Sequence, residues 1–270
     1  MHVESIGWRT DLRLRELEGA EILTRADHVL VRTPENPGFR WGNFLLLGTM
    51  PAAGEAERWL NRFREAFPAA GHVALGVDGE PADAAALAEL QALGLRAELT
   101  CVLSAPRLAT PAKARPLAQL RPLQNDEDWR QAIELGLTAD EEHDGEPGAR
   151  TYMERRMAAV RRVCEAGHGS WFGAFRDGEL VAGLGIFATG EGVARFQSVD
   201  THPAHRRQGL ATHLLFVAAE HARARLGART LVIAADPDYH AIEIYRALGF
   251  RERSRQLQLE RLAPGGRAQS

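Results

Sequence analysis

Cysteine is scarce in this chain, with Cys101 and Cys164 the only two. That excludes a disulfide-rich scaffold and a cysteine-rich zinc site. Lysine is scarcer still: Lys113 stands alone among 33 basic residues, which reads as a genome-wide arginine bias. No apolar run approaches the roughly 18–20 residues of a membrane helix. The start, Met1-His2-Val3-Glu4-Ser5-Ile6-Gly7-Trp8, lacks a basic cluster followed by an apolar core, so no signal peptide is expected. A net charge of −3 offers no general attraction to nucleic acid or to an anionic membrane. Trp8, Trp41, Trp59, Trp129 and Trp171 are spread too widely to form a stacking ladder for single strands. The histidines show no metal-ligand spacing, so no metal is expected. What is present, 45% hydrophobic and 26% charged residues, is ordinary for a cytoplasmic globular protein with free thiols. At 270 residues it is long enough for one large domain or two.

Pro106, Pro111 and Pro116 punctuate a stretch with no apolar period, which reads as a linker over 106–116 between parts 1–105 and 117–265. The second part has a clear element order. A strand at 117–123 precedes a helix capped by Asn125 or Asp126, with Trp129, Ile133 and Leu137 on one face. An acidic loop, Asp140-Glu141-Glu142-His143-Asp144, leads to a helix at 149–166. Strands at 171–176 and 180–187 meet through Asp177-Gly178, a strong hairpin signal. A strand at 193–201, a helix at 209–226 and a strand at 231–235 follow. Asp238 is expected to cap a helix ending near Leu248, with Gly249 just beyond its end and a last strand at 250–259.

The first part echoes the second. Gln91-Ala92-Leu93-Gly94-Leu95-Arg96 resembles Arg246-Ala247-Leu248-Gly249-Phe250-Arg251 at an offset of 155, and the same offset lays Gly54 on Gly209. The expected order agrees as well: strand 43–47, helix 55–67, strand 72–77, helix 82–93, strand 96–103. A diverged internal duplication explains both matches.

The most informative stretch runs from Val199 to Ala211. A strand ends, His202-Pro203 turns the chain, and a helix opens at Gly209. A helix start offers backbone N–H groups without internal partners and a partial positive charge, and phosphates dock there. Gly209 permits close approach, Ala211 is small, and Arg206 and Arg207 can add charge-assisted hydrogen bonds. The motif Arg206-x-x-Gly209-x-Ala211 resembles the acyl-CoA signature of the GNAT superfamily of N-acyltransferases. Ala241, Tyr245, Gly249 and Phe250 resemble that family's fourth helix, and Asp238 stands where asparagine is usual.

The resemblance implies an α/β (α+β) GNAT fold, a mixed central sheet flanked by helices, here in tandem. It implies acetyl-CoA as co-substrate, held by Val199, Thr201, Arg206, Arg207, Gln208, Gly209, Leu210, Ala211 and Asp238. In this family an amine attacks the thioester directly, with a backbone N–H, here of Val199, polarising the carbonyl. Tyr245 matches the usual general acid. A primary amine is mostly protonated at neutral pH and must lose a proton, for which Glu141, Glu142, His143, Asp144 and Asp200 are candidates. The acidic loop suits a small cationic amine, with a peptide amine as the other acceptor class. Gln197 and Ser198 can also face the cleft, depending on strand phase. Cys164 reads as a packing residue and not a nucleophile. The protein is expected to act as a monomer or homodimer.

In the first copy the motif has decayed. Pro51-Ala52-Ala53-Gly54-Glu55-Ala56 overlies 206–211, so a proline replaces the arginine and Glu55 brings negative charge to the phosphate position. Leu90 falls where the second copy has Tyr245. The first copy is therefore expected to be degenerate. The alternative to an N-acetyltransferase is a non-catalytic acyl-CoA-binding sensor or scaffold.

Overall fold

A computed structural model of the chain describes residues 1–79, 83–112, 114, 116–139, 148–239 and 241–262. It divides into two compact units, Met1–Val102 with the strand from Arg253, and Leu103–Glu252.

The first unit opens with α1 (Ile6–Leu17), whose start is capped by the Ser5 hydroxyl accepting the Trp8 N–H at 3.2 Å. Next come β1 (Glu21–Thr24), β2 (His28–Arg32), β3 (Phe44–Leu47), α2 (Ala56–Ala66), β4 (His72–Val77), α3 (Ala84–Ala92) and β5 (Arg96–Ala105). Asp83 caps α3 through the N–H groups of Ala85 and Ala86. β3 and β4 run parallel, and the Phe-Leu-Leu-Leu run of β3 is buried throughout, as a strand covered on both faces requires. Trp59, Leu60 and Phe63 form the buried stripe of α2. From β3 onward each expected element is present within two residues at each end, whereas α1, β1 and β2 had no counterpart in the sequence reading.

The second unit contains β6 (Gln119–Pro122), α4 (Asp126–Ala139), α5 (Ala149–Glu165), β7 (Gly169–Arg176), β8 (Glu179–Gly190), β9 (Val193–Thr201), α6 (Leu210–Arg225), β10 (Thr230–Ala235) and α7 (Ala241–Ala247), and β11 (Arg251–Leu262) is the last element among the described residues. Strands β6 to β9 form an antiparallel meander, and β10 joins β9 in parallel. Asn125 caps α4, its side chain accepting the Asp128 N–H at 2.9 Å. Asp177 and Gly178 adopt φ of 50° and 87°, the positive pair a two-residue hairpin turn needs.

β11 departs from the sequence-based division, which grouped it with the second part. It runs antiparallel to β4, with Leu257 opposite Val77 and Leu259 opposite Leu75. Both leucines are buried within the core that also holds Leu46, Leu60, Phe63 and Leu75. Burial of each contributes roughly 1.5–3 kcal/mol. That packing outweighs proximity in the chain, so the strand belongs to the first unit. The 106–116 proline segment likewise begins just after β5 has crossed from one unit into the other at Val102.

Candidate active site

The site is built around β9. Ala182 pairs with Thr201 and Gly183 with Asp200, but the next pair is Gly185 with Gln197. Ser198 and Val199 together therefore oppose Leu184 alone, which is a β-bulge, and Ser198 takes a φ of 47° to make it. On the other side of β9, pairing with β10 runs over Val193–Arg195 and Thr230–Val232 and stops there. The bulged half of β9 thus presents a strand edge to an extended ligand, Val199 and Thr201 included.

The strand leads directly into the phosphate-type loop. A short turn at Pro203–His205 is closed by His202, whose Nδ1 accepts the Ala204 N–H at 3.3 Å. Arg206 Nε donates to the Thr201 carbonyl at 3.3 Å, folding the guanidinium back over the end of β9. Arg207 and Gln208 are exposed. Arg207 adopts φ 67° and Gly209 φ 78°, so the chain turns sharply into α6, whose first N–H groups, from Leu210 and Ala211 on, have no partner within the helix. Arg176, at the end of β7, reaches this loop: its Nη1 donates to Gln208 Oε1 at 2.5 Å and to His205 Nδ1 at 3.3 Å.

Tyr245 lies on α7 and is 6% exposed, its ring edge-on to Phe250 at 6.2 Å. Burial pushes the phenol pKa above its usual value, and the negative charge of Asp200 and then Tyr239 push it the same way. The tyrosine therefore keeps its proton through the neutral range, and it shares its electrostatic surroundings with β9. α7 is described from Ala241, and Asp238 is an exposed turn residue whose N–H donates to Asp236 Oδ1 at 2.8 Å. The residue between that turn and α7 lies outside the described residues.

From α5 comes a contribution that sequence reasoning missed. Arg156 donates from Nη2 to the Ser198 hydroxyl at 2.8 Å and from Nη1 to the Tyr152 hydroxyl at 3.3 Å. Tyr152 and Arg156 are one turn apart, and Met153, Met157, Val160 and Val163 form the buried stripe of the same helix. That spacing was the available signal, but nothing in it named Ser198 as the target. Glu141, Glu142, His143 and Asp144 fall outside the described residues. Cys164 is held by burial, its thiol pushed up to about 12, which leaves almost no thiolate at neutral pH. Among the described residues no group of three metal-ligating side chains comes together, and no helix is long and apolar enough to cross a membrane.

The family model for GNAT acetyltransferases matches residues 132–250, from α4 to the end of α7. This unit is a GNAT acetyltransferase domain. Comparison with curated proteins finds no match. Solved structures share the fold over nearly the whole chain. A GCN5-related N-acetyltransferase from Kribbella flavida is 20% identical, with 97% of this chain and 98% of that one covered at a TM-score of 0.66. A conserved protein from Staphylococcus epidermidis, described as functionally unknown, reaches a TM-score of 0.73 at 11% identity, covering 91% and 95% of the two chains. A tandem GNAT protein from the clavulanic acid biosynthesis pathway is 20% identical over 82% of this chain and 74% of its own, with a TM-score of 0.54. The tandem GNAT fold thus extends to the amino-terminal unit.

Proposed function

We propose that the second unit binds acetyl-CoA and transfers its acetyl group to a primary amine by direct attack. The observation that carries this reading is the course of β9, whose bulged, unladdered edge runs straight into a helix start flanked by Arg206 and Arg207. The donor set suits a pyrophosphate: backbone N–H groups of Leu210 and Ala211, two guanidiniums and a glycine at positive φ. Val199 and Thr201 would hold the pantetheine arm through backbone hydrogen bonds, as an added strand is held. When bound, acetyl-CoA supplies the acyl group and a thiolate leaving group.

In this reading the Val199 N–H faces the thioester oxygen and stabilises charge that builds there. Tyr245 gives its proton to the departing sulfur, and its burial keeps that proton in place until then. Asp200, on the same bulged half of β9, is assigned to the ammonium side of the acceptor, with Glu141, Glu142 and Asp144 as further candidates. The preferred acceptor is a small cationic amine, ahead of a peptide amine, and the enzyme is cytoplasmic. The amino-terminal unit is assigned no acyl-CoA of its own.

Calorimetric titration of acetyl-CoA into the full chain tests this. One site per chain is expected. No binding would sink the acetyltransferase reading, and two sites would mean that loop 51–56 binds as well.

A further inference from the structure

We propose that Arg176 is a positioning residue of the phosphate-type loop, fixing Gln208 so that its amide donor faces the anion. The inference rests on the acyl-CoA reading above and adds to it a residue outside the signature motif.

The placement starts from the hairpin. Asp177-Gly178 sets a two-residue turn, and the register puts Arg176 opposite Glu179. The turn is fastened to α4 by Gln131, whose Nε2 donates to the Gly178 carbonyl at 3.3 Å and whose Oε1 accepts the Leu180 N–H at 2.7 Å. Arg176 therefore projects from a pinned strand end. Alternation along β7 places Ser170, Phe172 and Arg176 on one face. That face carries α6: Ser170 contacts His221 at 3.2 Å, and the Phe172 ring meets His221 edge-on. The late part of α6 lies over the start of β7, so its first turn falls at the Arg176 end.

A guanidinium can only donate. Its Nε goes to the Leu117 carbonyl at 3.1 Å, and Nη1 goes to Gln208 Oε1 and His205 Nδ1. With Oε1 engaged as acceptor, the amide Nε2 of Gln208 is left to donate. The exposed Gln208 is thereby preset as a donor, and the positive charge of Arg176 stands behind it. An arginine fork can span three acceptors from two segments, which a lysine ammonium on a flexible stem cannot do as well. Holding a loop in its binding geometry raises affinity by reducing what must be ordered on binding.

The test compares acetyl-CoA with S-acetyl-pantetheine, which lacks the nucleotide phosphates. In Arg176→Gln, the Kd for acetyl-CoA is expected to rise about tenfold while that for S-acetyl-pantetheine stays put. Arg176→Lys should recover only part of the loss. Gln208→Ala alters an exposed side chain, so it should fold normally and give the same selective loss. The double variant should add little to either, because both remove one unit. An Arg176→Gln protein that binds acetyl-CoA as tightly as the parent, or that loses both ligands equally, overturns the proposal. A parent protein that binds acetyl-CoA no better than S-acetyl-pantetheine overturns the acyl-CoA reading itself, and the proposal with it.

Discussion

Gly54 stands at φ 88° just before α2, and Gly209 at φ 78° just before α6. The two turns have kept one backbone habit and taken opposite chemistry. In the second unit the first N–H groups of α6 are flanked by Arg206 and Arg207. In the first, the protein's own carboxylates occupy the loop just before the helix: the Gly54 N–H donates to Glu89 Oε2 at 2.5 Å and the Ala52 N–H to Glu55 Oε2 at 3.3 Å. Arg58 then pairs with Glu55 at 2.9 Å, so even the cation here serves an internal acid. A phosphate would have to displace these groups and meet their charge, at about 4 kcal/mol for unit charges 4 Å apart at an effective dielectric of 20. One backbone turn can thus be flanked by cations in one unit and by the protein's own carboxylates in the other. The turn is a requirement of folding, whereas the side chains around it are free to differ.

The comparison is open to attack at several points. The largest effect is expected at Tyr245. Tyr245→Phe should lower kcat about 100-fold or more while acetyl-CoA affinity holds, since the hydroxyl and not the ring carries the proton. Its counterpart by offset, Leu90, is fully buried, so Leu90→Ala should cost about 2–5 kcal/mol of stability and leave the catalytic step alone. Unchanged turnover in Tyr245→Phe on the true acceptor would remove the phenol from the mechanism.

Arg206→Ala should weaken acetyl-CoA binding roughly tenfold to a hundredfold, the equivalent of one charge-assisted hydrogen bond. In the other loop, Glu55→Gln with Glu89→Gln should still leave one site per chain, because Pro51 stands where the arginine would be. A second site by calorimetry would show that the carboxylates alone silence the first copy.

Gly54→Ala and Gly209→Ala should each lose about 1 kcal/mol in denaturant unfolding, since both force a side chain into the left-handed region. Only Gly209→Ala should also weaken acetyl-CoA binding. Equal effects on binding would erase the distinction between the loops.

The smallest effect is in the pH dependence of stability. The folded state holds the Tyr245 proton more tightly than the unfolded chain, whose tyrosine titrates near pH ~10. The resulting stabilisation is complete below that pH and is lost as pH rises from there through the higher pKa of the folded state. Urea midpoints at pH 9 and pH 11 should fall further apart in the parent protein than in Tyr245→Phe.

Much of this was legible in the sequence because it is local. Caps, apolar period and the Asp177-Gly178 turn act within a few residues, and they define β6 to α7 in the expected order. The Gly209 turn and its arginines were readable for the same reason.

Local sequence specified most of the elements and the loop that suits a phosphate. Tertiary structure alone decided which elements meet. Leu257 and Leu259 read as part of a last strand, and only the core they fill assigns them to the first unit. The bulge at Ser198 depends on the register between β8 and β9, and Glu89 reaches Gly54 from 35 residues away. Arg176 looks like any hairpin arginine until β7 is laid beneath α6. Local rules set conformation because they act through neighbouring bonds. Partnership across the chain is set by burial and register, which depend on every element at once.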